Sequence, residues 1–500
     1  MNIKHLPTLL RFASAHDCRK LFPTIKTLLL VPLFLAGLTL GAAIQPGTPF
    51  CDHAVLQADM KVPVWGNADK GESVTVSYAG QRKTATADDR GRWRVELDPM
   101  PVGTSGELVI GDKTFSDVIT GEVWFVGGQS NAALSLKRGV TDPDEEIARA
   151  NYPHIRVFTS KVMVSKYPRA HGGGAWSVCT PENAGNFTAM GYFFAREISA
   201  ARGNVPIGII SCNRGGAPIF SMINPSVFDK NPFAAEVEAF FAPREAKNTY
   251  MAKGVLWNGM IRPLTAHAAY AMRGVLWNQG EADVRLSHAY ESLFASLVQS
   301  WRSQWKRPDL PFYVVQLANI SDKGSYEPAG SYNWPLMREA QEGARRTPNV
   351  WVSVGIDIGS LSEEPSIARH PPNKRELGRR LALLARAHTY GETNLPGGLA
   401  DSPFFNRAVV NGERAICHFT ASAKGLKTRD GGAPGGFEIA GPDGQFTPAV
   451  AVIEGETVAL SSPKVKKPGA VRYAWSNTCE GANVVNAAGL PLAPFRTVSR

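Results

Sequence analysis

Hydrophobic and polar residues alternate in short runs near the two ends of the chain, whereas the middle carries longer apolar segments. Residues 62–66, 73–78 and 92–97 alternate in this way, and turns rich in glycine and aspartate separate them. A period of two places the apolar side chains on one face of a strand. The spacing predicts a small β-sandwich over residues 44–120.

The pattern changes in the middle of the chain, where apolar strands alternate with helical periods. The predicted strands cover residues 123–126, 206–211, 273–277, 311–317 and 351–356. Apolar residues at helical spacing lie between the third and fourth of these strands: Tyr290, Leu293, Phe294, Leu297 and Trp301. This alternation predicts a parallel sheet with helices on both faces, whose strands all end at one edge.

Short alternating runs return after residue 391, so we expect a second β-sandwich over residues 393–500. Together with residues 44–120 and an α/β domain over residues 121–392, this makes three folded domains. Five hundred residues agree with that number, because single domains contain about 150 residues.

The first 43 residues have the pattern of an export signal. A basic stretch ends at Lys26, and the apolar run of residues 27–40 precedes Gly41, Ala42 and Ala43. The run is short for a membrane span. We predict cleavage near Ala43 and a periplasmic or secreted mature chain without stable membrane insertion, with an uncleaved anchor as the alternative.

Composition narrows the choice of partners and cofactors. The formal net charge is +10, but Lys and Arg are scattered and form no basic stripe, so we predict no nucleic-acid partner. The surplus of positive charge would suit an acidic sugar. No Cys-x-x-Cys occurs, so we predict no metal site, and we interpret most of the cysteines as buried structural residues. The oligomeric state stays open.

Polar residues follow the predicted strands at their carboxyl ends. Ser130 comes after the Gly127-Gly128 pair, and Gly215-Gly216 follows the second strand. Gln279 follows the third strand, and His370 follows the last across a loop. These are the groups of serine acyl transfer, in which a histidine accepts the proton of the nucleophile.

We assign Ser130 as the nucleophile and His370 as the base. Backbone N–H groups of Ser130 and Gly216, with the Gln279 amide, would stabilise the oxyanion, and Gly215 is a close second to Gly216. On spacing alone, each residue also fits a structural role, such as a helix cap or a turn.

Four ordered blocks resemble those of the sialate O-acetylesterase family within the SGNH hydrolases. They are Gly128-Gln129-Ser130-Asn131, Arg214-Gly215-Gly216-Ala217-Pro218, Trp277-Asn278-Gln279-Gly280-Glu281-Ala282-Asp283 and His370-Pro371-Pro372-Asn373-Lys374. Further similar segments extend the resemblance over nearly the whole mature chain. It implies a flavodoxin-like α/β/α domain flanked by β-sandwich modules, and a serine esterase that needs no metal or cofactor.

The resemblance also implies an O-acetylated carbohydrate as the substrate, most consistently O-acetylated sialic acid. We assign substrate binding to Gln129, Asn131, Arg214 and Glu281. The alternatives are an esterase acting on acetylxylan or another polysaccharide, a lipid or thioester hydrolase, and a catalytically weak carbohydrate-binding protein.

The chain departs from the family pattern at positions that bear on catalysis. Ala132 stands where the family commonly has Met, and Arg214 and Ala217 stand where it has Trp and Thr. Ile367 occupies the position of the acid three residues before the histidine. The hypotheses for the group that orients His370 are the carboxylates of Asp357, Glu363 and Glu364, or a backbone carbonyl.

Overall fold

The computed structural model describes residues 44–325 and 333–497. The predicted signal peptide and its cleavage position therefore lie outside the described residues. No helix within the described ranges is both long enough and apolar enough to span a membrane.

Strands β1 to β7 form the amino-terminal part of the fold. Their bounds are β1 (Gln45–Pro46), β2 (Val55–Gln57), β3 (Val62–Asn67), β4 (Ser73–Tyr78), β5 (Gln81–Thr86), β6 (Arg92–Leu97) and β7 (Ser105–Ile110). β1, β3 and β6 form one antiparallel sheet, and β4 pairs with β5 and β7 in another. Alternate residues of β4 and β6 are buried, as the period of two predicts.

A single long strand, β8 (Lys113–Gly128), connects this region to the central sheet. Its first half pairs with β7 and alternates between buried and less buried positions. From Thr120 onward every residue is buried, because this half lies between parallel neighbours. One strand therefore serves two sheets, and the change in its burial follows the change in its surroundings.

The central sheet adds β9 (Tyr152–Ser160), β10 (Gly174–Cys179), β11 (Ile207–Asn213), β12 (Gly274–Asn278), β13 (Phe312–Val315) and β14 (Val350–Ser353). Its order is β10-β9-β11-β8-β12-β13-β14, and only β10 is antiparallel to its neighbour. The segment β11-β8-β12-β13-β14 has the flavodoxin-like order 2-1-3-4-5. The predicted α/β class is confirmed. Four of the predicted strands have ends within three residues of these bounds, whereas β8 begins ten residues before the strand predicted over residues 123–126.

Helices cover both faces of this sheet. Phe125 of β8 contacts Trp301 on one face, with ring centroids 4.8 Å apart, while its neighbour Trp124 contacts Phe194 on the other face at 4.9 Å. Successive strand residues point to opposite faces, so two apolar cores form. The result is a three-layer α/β/α arrangement.

The α-helices are α1 (Ser130–Ala133), α2 (Leu136–Gly139), α3 (Pro143–Ala148), α4 (Pro181–Ala184), α5 (Ala189–Ala201), α6 (Pro225–Phe228), α7 (Ala234–Glu245), α8 (Ser287–Trp305), α9 (Asp322–Ser325), α10 (Asn333–Gly343), α11 (Pro365–Arg369) and α12 (Lys374–His388). Short 3-10 helices cover Ile219–Met222, Thr249–Met251, Arg262–Thr265, Glu281–Leu286, Ala344–Arg346 and Pro396–Gly398, and a π-helical turn covers Trp257–Ile261. Helices α5 and α12 share one apolar core, and α8 belongs to the other.

The carboxyl-terminal part is again built from short strands. They are β15 (Phe405–Asn411), β16 (Arg414–Phe419), β17 (Leu426–Thr428), β18 (Phe437–Ala440), β19 (Phe446–Pro448), β20 (Val450–Glu454), β21 (Thr457–Ser461), β22 (Ala470–Tyr473), β23 (Val484–Asn486) and β24 (Phe495–Arg496). Two four-stranded sheets, β15-β16-β21-β20 and β19-β18-β22-β24, and the pair β17-β23 give the expected sandwich-like arrangement. The domain limits at residues 120 and 392 remain predictions.

Candidate active site

Ser130 lies at the carboxyl end of β8, where α1 begins. The preceding Gly128 has a φ of +135°, and a Cβ at this position would lie 2.0 Å from the carbonyl oxygen of Asn278. The Gln129 N–H donates to the same carbonyl at 3.1 Å. Glycine is required here because a side chain would collide with the neighbouring strand. Ser130 is thereby held at the carboxyl edge of the sheet.

His370 approaches Ser130 from the other side of this edge. It directly follows α11, and its Nε2 atom lies 3.0 Å from the Oγ atom of Ser130. Both side chains are half-buried. The distance is within the range in which a histidine can accept the proton of a serine nucleophile. The structure therefore brings together two predicted residues that are 240 positions apart.

The group that orients His370 differs from the first of the sequence hypotheses. Asp357 accepts hydrogen bonds from Arg380 at 2.6 and 2.7 Å and from Arg429 at 2.5 Å, so both of its oxygens are occupied. His370 instead has a hydrogen bond with the backbone of Ser366, which favours the protonated imidazole. Because Nε2 faces the serine, Nδ1 is the nitrogen left for this bond. The assignment of Asp357 is corrected in favour of a backbone carbonyl.

The two glutamates of the same loop are engaged elsewhere as well. Glu363 is exposed and forms an ion pair with Lys323. Glu364 accepts a hydrogen bond from the hydroxyl of Ser366. Ile367, at the position of the missing acid, is 44% exposed. None of these side chains supplies a carboxylate to the imidazole.

Backbone donors surround Ser130 on the side of the glycine pair. A Cβ added to Gly215 would lie 3.7 Å from the Cβ of Ser130, so the glycine loop packs directly against the serine. Gly216 has a φ of +70°, a conformation that glycine adopts without strain. Among the described residues, no backbone carbonyl accepts from the N–H groups of Ser130 or Gly216. Both donors are therefore available to an oxyanion.

The Gln279 amide cannot serve as the third oxyanion donor in this conformation. Its side chain is only 1% exposed, and its Nε2 faces oxygens of Gln129 at 3.2 Å, of Ala217 at 3.1 Å and of Asp283. Its Oε1 accepts from the hydroxyl of Tyr290 at 2.9 Å. An amide nitrogen has two hydrogens, and both are used in the interior. The prediction for Gln279 is corrected because tertiary contacts turn it away from the site.

Gln129 is likewise a structural residue in this arrangement. It is 4% exposed, and its Oε1 accepts from Gln279 and from the N–H of Ala282, both at 3.2 Å. These bonds join the segment that precedes Ser130 to the loop after β12. Its predicted contact with substrate is corrected for this reason.

Asn131 and Glu281 lie beneath the site and also have protein partners. Nδ2 of Asn131 donates to Oε1 of Glu281 and, at 2.9 Å, to the carbonyl of Arg369. Oδ1 of Asn131 accepts from Nζ of Lys374 at 2.7 Å. Asn131 is 7% exposed, so we correct its predicted role, and that of Glu281, from substrate contact to internal support.

These contacts connect Ser130 and His370 through their neighbours in the chain. Asn131 directly follows Ser130, and Arg369 directly precedes His370. The hydrogen bond between Asn131 and Arg369 therefore holds the two segments together beneath the 3.0 Å contact. A fixed distance between nucleophile and base is what acyl transfer requires.

Burial shifts the ionisation of the groups around this support. It lowers the pKa of Lys374 to about 8, although the charge of Glu281 acts in the opposite direction. It also raises the pKa of Glu281, against the hydrogen bond from Asn131. The pKa of His370 is lowered by burial and by the charge of Lys374, while the bond to Ser366 raises it. A neutral imidazole, the form that accepts a proton, is thus favoured near neutral pH.

Arg214 differs from the other predicted substrate-binding residues because no carboxylate in the described ranges pairs with it. Its guanidinium carbon lies 4.1 Å from the ring centroid of Tyr250, and its Nη1 donates to the carbonyl of Gly215 at 3.0 Å. The side chains of Arg214 and Tyr250 are half-buried. Arg214 therefore lies beside the glycine loop as a fixed positive charge.

Sequence reasoning missed the contributions of Lys374, Asp283, Tyr250 and Ser366. Lys374 and Asp283 belong to two of the four blocks that resemble the family, so a buried charge could have been suspected at both positions. Burial raises the pKa of Asp283 to about 7, and its Oδ2 accepts from Gln279 and from the N–H of Ile219. Tyr250 belongs to no sequence motif. The sequence also does not show which backbone carbonyl, here that of Ser366, accepts a hydrogen bond.

The described part of the chain contains no cluster of three or more His, Cys, Asp or Glu residues suited to a metal ion. Its five cysteines are free thiols, four of them buried: Cys51, Cys179, Cys212, Cys417 and Cys479.

Comparisons with known proteins agree with this fold and show the family. The family model of carbohydrate esterases described as sialic acid-specific acetylesterase matches residues 120–386. This span exceeds half of the chain and contains Ser130, Gly216 and His370. The chain belongs to this family, and it is a carboxylic ester hydrolase.

Individual relatives match the chain over most of its length. The crystal structure of a carbohydrate acetylesterase from Xanthomonas citri is 36% identical, with a TM-score of 0.82, and the match covers 91% of this chain and all of that one. The sialate O-acetylesterase of Homo sapiens is 27% identical over 408 residues, which is 73% of this chain and 75% of the relative. That of Mus musculus is 28% identical over 404 residues, 69% and 73% of the two chains. The resemblance noted in the sequence is confirmed.

Proposed function

We propose that this protein removes O-acetyl groups from a carbohydrate, most consistently sialic acid, by nucleophilic catalysis with Ser130 and His370. The observation that carries the proposal is the 3.0 Å contact between Oγ of Ser130 and Nε2 of His370 at the carboxyl edge of the parallel sheet. Ligands bind at this edge in open α/β folds.

In the first half of the reaction, Oγ of Ser130 attacks the acetyl carbonyl carbon while its proton passes to Nε2 of His370. The N–H groups of Ser130 and Gly216 donate to the oxyanion, and one such donor contributes about 3 kcal/mol. The bond to the sugar oxygen then breaks, and the sugar hydroxyl leaves with the proton from His370. An acetyl ester of Ser130 remains.

Water completes the reaction in the second half. His370 accepts a proton from the water as its oxygen attacks the acetyl carbon, and acetate leaves as Ser130 regains its proton. The hydrogen bond to Ser366 holds the imidazole in the required orientation without a carboxylate. A backbone carbonyl is neutral and stabilises the imidazolium less than an acid would, so the rate need not match that of a full triad.

The choice of sialic acid rests on the family and on the site. The curated relatives are sialate O-acetylesterases, and Arg214, which has no carboxylate partner among the described residues, suits a sugar that carries a carboxylate. Arg214 is therefore the one residue of the four assigned to substrate binding that we retain in that role.

The test is acetate release by the purified chain without residues 1–43. Wild type, Ser130→Ala and the exposed control Ser73→Ala are compared on 4-nitrophenyl acetate, O-acetylated sialic acid and acetylated xylan. We expect Ser130→Ala to lose at least about 10³-fold in kcat/KM, since the nucleophile is removed, whereas Ser73→Ala keeps wild-type rates. A serine-directed fluorophosphonate should label the wild type at Ser130.

Acetate release that persists in Ser130→Ala would contradict the mechanism. A folded wild type that releases no acetate but binds the sugars would instead support a carbohydrate-binding protein. Faster acetate release from acetylated xylan than from O-acetylated sialic acid would identify xylan as the preferred substrate. We also propose export to the periplasm or the cell exterior, which predicts a mature chain that begins near Ile44 by mass spectrometry.

A further inference from the structure

We infer that Arg214 and Tyr250 form a carboxylate-binding subsite next to Ser130, which selects acetyl esters of acidic sugars over those of neutral sugars. The inference rests on the proposed function, and it names the chemical group that the site recognises beside the ester. The group is a carboxylate, and it belongs either to a sialic acid or to a uronic acid.

The position of Arg214 is fixed by the sheet that carries the nucleophile. Its backbone N–H donates to the carbonyl of Gly128 at 3.2 Å, two residues before Ser130. The next residue, Gly215, has no side chain, and its Cα faces the Cβ of Ser130. A ligand held by Arg214 therefore lies close to the serine.

Two contacts keep the guanidinium in place. It lies over the ring of Tyr250 at 4.1 Å, and its Nη1 donates to the carbonyl of Gly215 at 3.0 Å. The hydroxyl of Tyr250 comes within 3.3 Å of the point at which a Cβ on Gly216 would stand. Tyr250 therefore lies beside Gly216, which carries one of the proposed oxyanion donors, and it holds Arg214 against the same glycine loop. Such preorganisation reduces the entropy that is lost when a ligand binds.

Several arginines of the α/β region bond to carboxylates of the chain, whereas others, such as Arg302, donate to backbone carbonyls. Arg273 pairs with Glu122 at 2.6 Å, and Arg196 pairs with Glu146. Within residues 44–325 and 333–497, no carboxylate forms an ion pair with Arg214, and no protein atom accepts a hydrogen bond from its Nε or Nη2. A planar guanidinium with two free donors matches a carboxylate in geometry and charge.

The first experiment compares each acidic substrate with its own methyl ester, which removes the charge and leaves the acetyl group unchanged. The compounds are O-acetylated sialic acid, an O-acetylated galacturonic acid, and the methyl ester of each. The enzymes are the wild type, Arg214→Gln, Arg214→Lys, and Arg407→Gln, which removes an exposed arginine on β15 far along the chain.

For the wild type, we expect kcat/KM to be about 10- to 100-fold higher for the acid than for its methyl ester, as for other charge-assisted pairs. Arg214→Gln should bring this ratio close to one, mainly through a higher KM for the acid, and Arg214→Lys should keep part of it. Arg407→Gln should keep the wild-type ratio. The pair that shows the larger ratio identifies sialic or uronic acid as the source of the carboxylate.

A second experiment measures binding without turnover. Ser130→Ala protein, with and without Arg214→Gln, is titrated calorimetrically with sialic acid, galacturonic acid and their methyl esters. Tighter binding of an acid than of its methyl ester, if it is lost in Arg214→Gln, supports the subsite even where no hydrolysis occurs. This experiment therefore distinguishes failure of the subsite from failure of the proposed function. Equal affinity for acids and esters, or an equal loss of both in Arg214→Gln, would overturn the inference.

Discussion

Helix α12 carries two buried charged clusters that differ in how completely their charges are paired. At its amino end, Lys374 donates to the amide oxygen of Asn131, and the Oε2 atom of Glu281 accepts no hydrogen bond from any residue that the structure describes. Six residues later, Arg380 forms two hydrogen bonds with Asp357. The first cluster lies beneath the candidate nucleophile, and the second lies away from it.

The second cluster is well compensated because each carboxylate oxygen has a cationic donor. Arg380 also bonds to Glu376, and Asp357 accepts from Arg429, which follows β17. The burial of Asp357 raises its pKa, but the hydrogen bonds and charge of Arg380, with the charge of Arg429, hold it below its usual range. This cluster joins α12, the loop after β14 and the carboxyl-terminal strands.

The comparison shows that the electrostatic cost of burial is higher in the first cluster, the one beneath Ser130. A buried cation whose nearest partner is an amide is expensive, which is why the pKa of Lys374 falls to about 8. Incomplete pairing of this kind is concentrated at functional sites, where geometry and ionisation matter more than stability. We therefore assign the second cluster to stability and the first to positioning.

Asp357→Ala tests the stability assignment and has the largest expected effect. It leaves Arg380 buried without its main partner, so we expect unfolding free energy to fall by about 3–5 kcal/mol in urea titrations. Because the pKa of Asp357 is lowered, its contribution is present above the ordinary carboxyl range and is lost as the pH falls through the lowered pKa. The difference in unfolding free energy between the wild type and Asp357→Ala should therefore become smaller at acidic pH.

The matched control is Glu363→Ala, which removes an exposed carboxylate from its pair with Lys323 and should change stability by less than about 0.5 kcal/mol. Folded Asp357→Ala should keep most of its activity per molecule. A folded variant without activity would return Asp357 to the role of orienting acid.

Asn131→Ala tests the positioning assignment and should have an intermediate effect. The variant removes the hydrogen bond between the segments of Ser130 and His370, so we expect kcat to fall by about 10- to 100-fold with little change in KM. Asn186→Ala, at an exposed asparagine, is the control. Wild-type kcat in a folded Asn131→Ala protein would show that the bond does not position the reactive pair.

Lys374→Met has the smallest expected effect, a displacement of the pH profile. The charge of Lys374 lowers the pKa of His370, as do burial and the charges of Arg369 and Arg138. In the wild type, kcat/KM for 4-nitrophenyl acetate should therefore rise with pH around a midpoint below the ordinary histidine value of about 6.5. Removing the lysine charge favours the imidazolium, so the midpoint should move to higher pH.

Lys466→Met removes an exposed lysine from the carboxyl-terminal part and should leave the midpoint in place. A midpoint that stays or moves to lower pH in Lys374→Met would contradict the assigned influence of Lys374 on His370.

The correct expectations concerned features that depend on local pattern. The apolar run before Ser130 and the glycines at its end predict a buried strand that stops at the sheet edge, and β8 does so. The parallel arrangement follows from the alternation of strands and helices, and it brings the loops of Ser130, Gly216 and His370 to one edge. Sequence reasoning could predict this much because strand and helix periods are properties of neighbouring residues.

The incorrect expectations concerned the direction in which polar side chains point. Gln279 has the right chemistry for an oxyanion donor, but Asp283 and Gln129 draw its amide into the interior. Asp357 is close to His370 along the chain, yet Arg429, 72 residues away, shares its carboxylate with Arg380. Residue type and spacing do not record such competition between partners.

By itself, the sequence determined the sheet, the edge at which the candidate site lies and the residue types available there, because these follow from short-range periodicity and covalent order. Only the tertiary structure decided which oxygen orients His370 and which polar side chains remain free for a ligand. Those outcomes depend on hydrogen bonds between segments that are distant in the chain, and each buried polar group takes the partner that packing brings within reach.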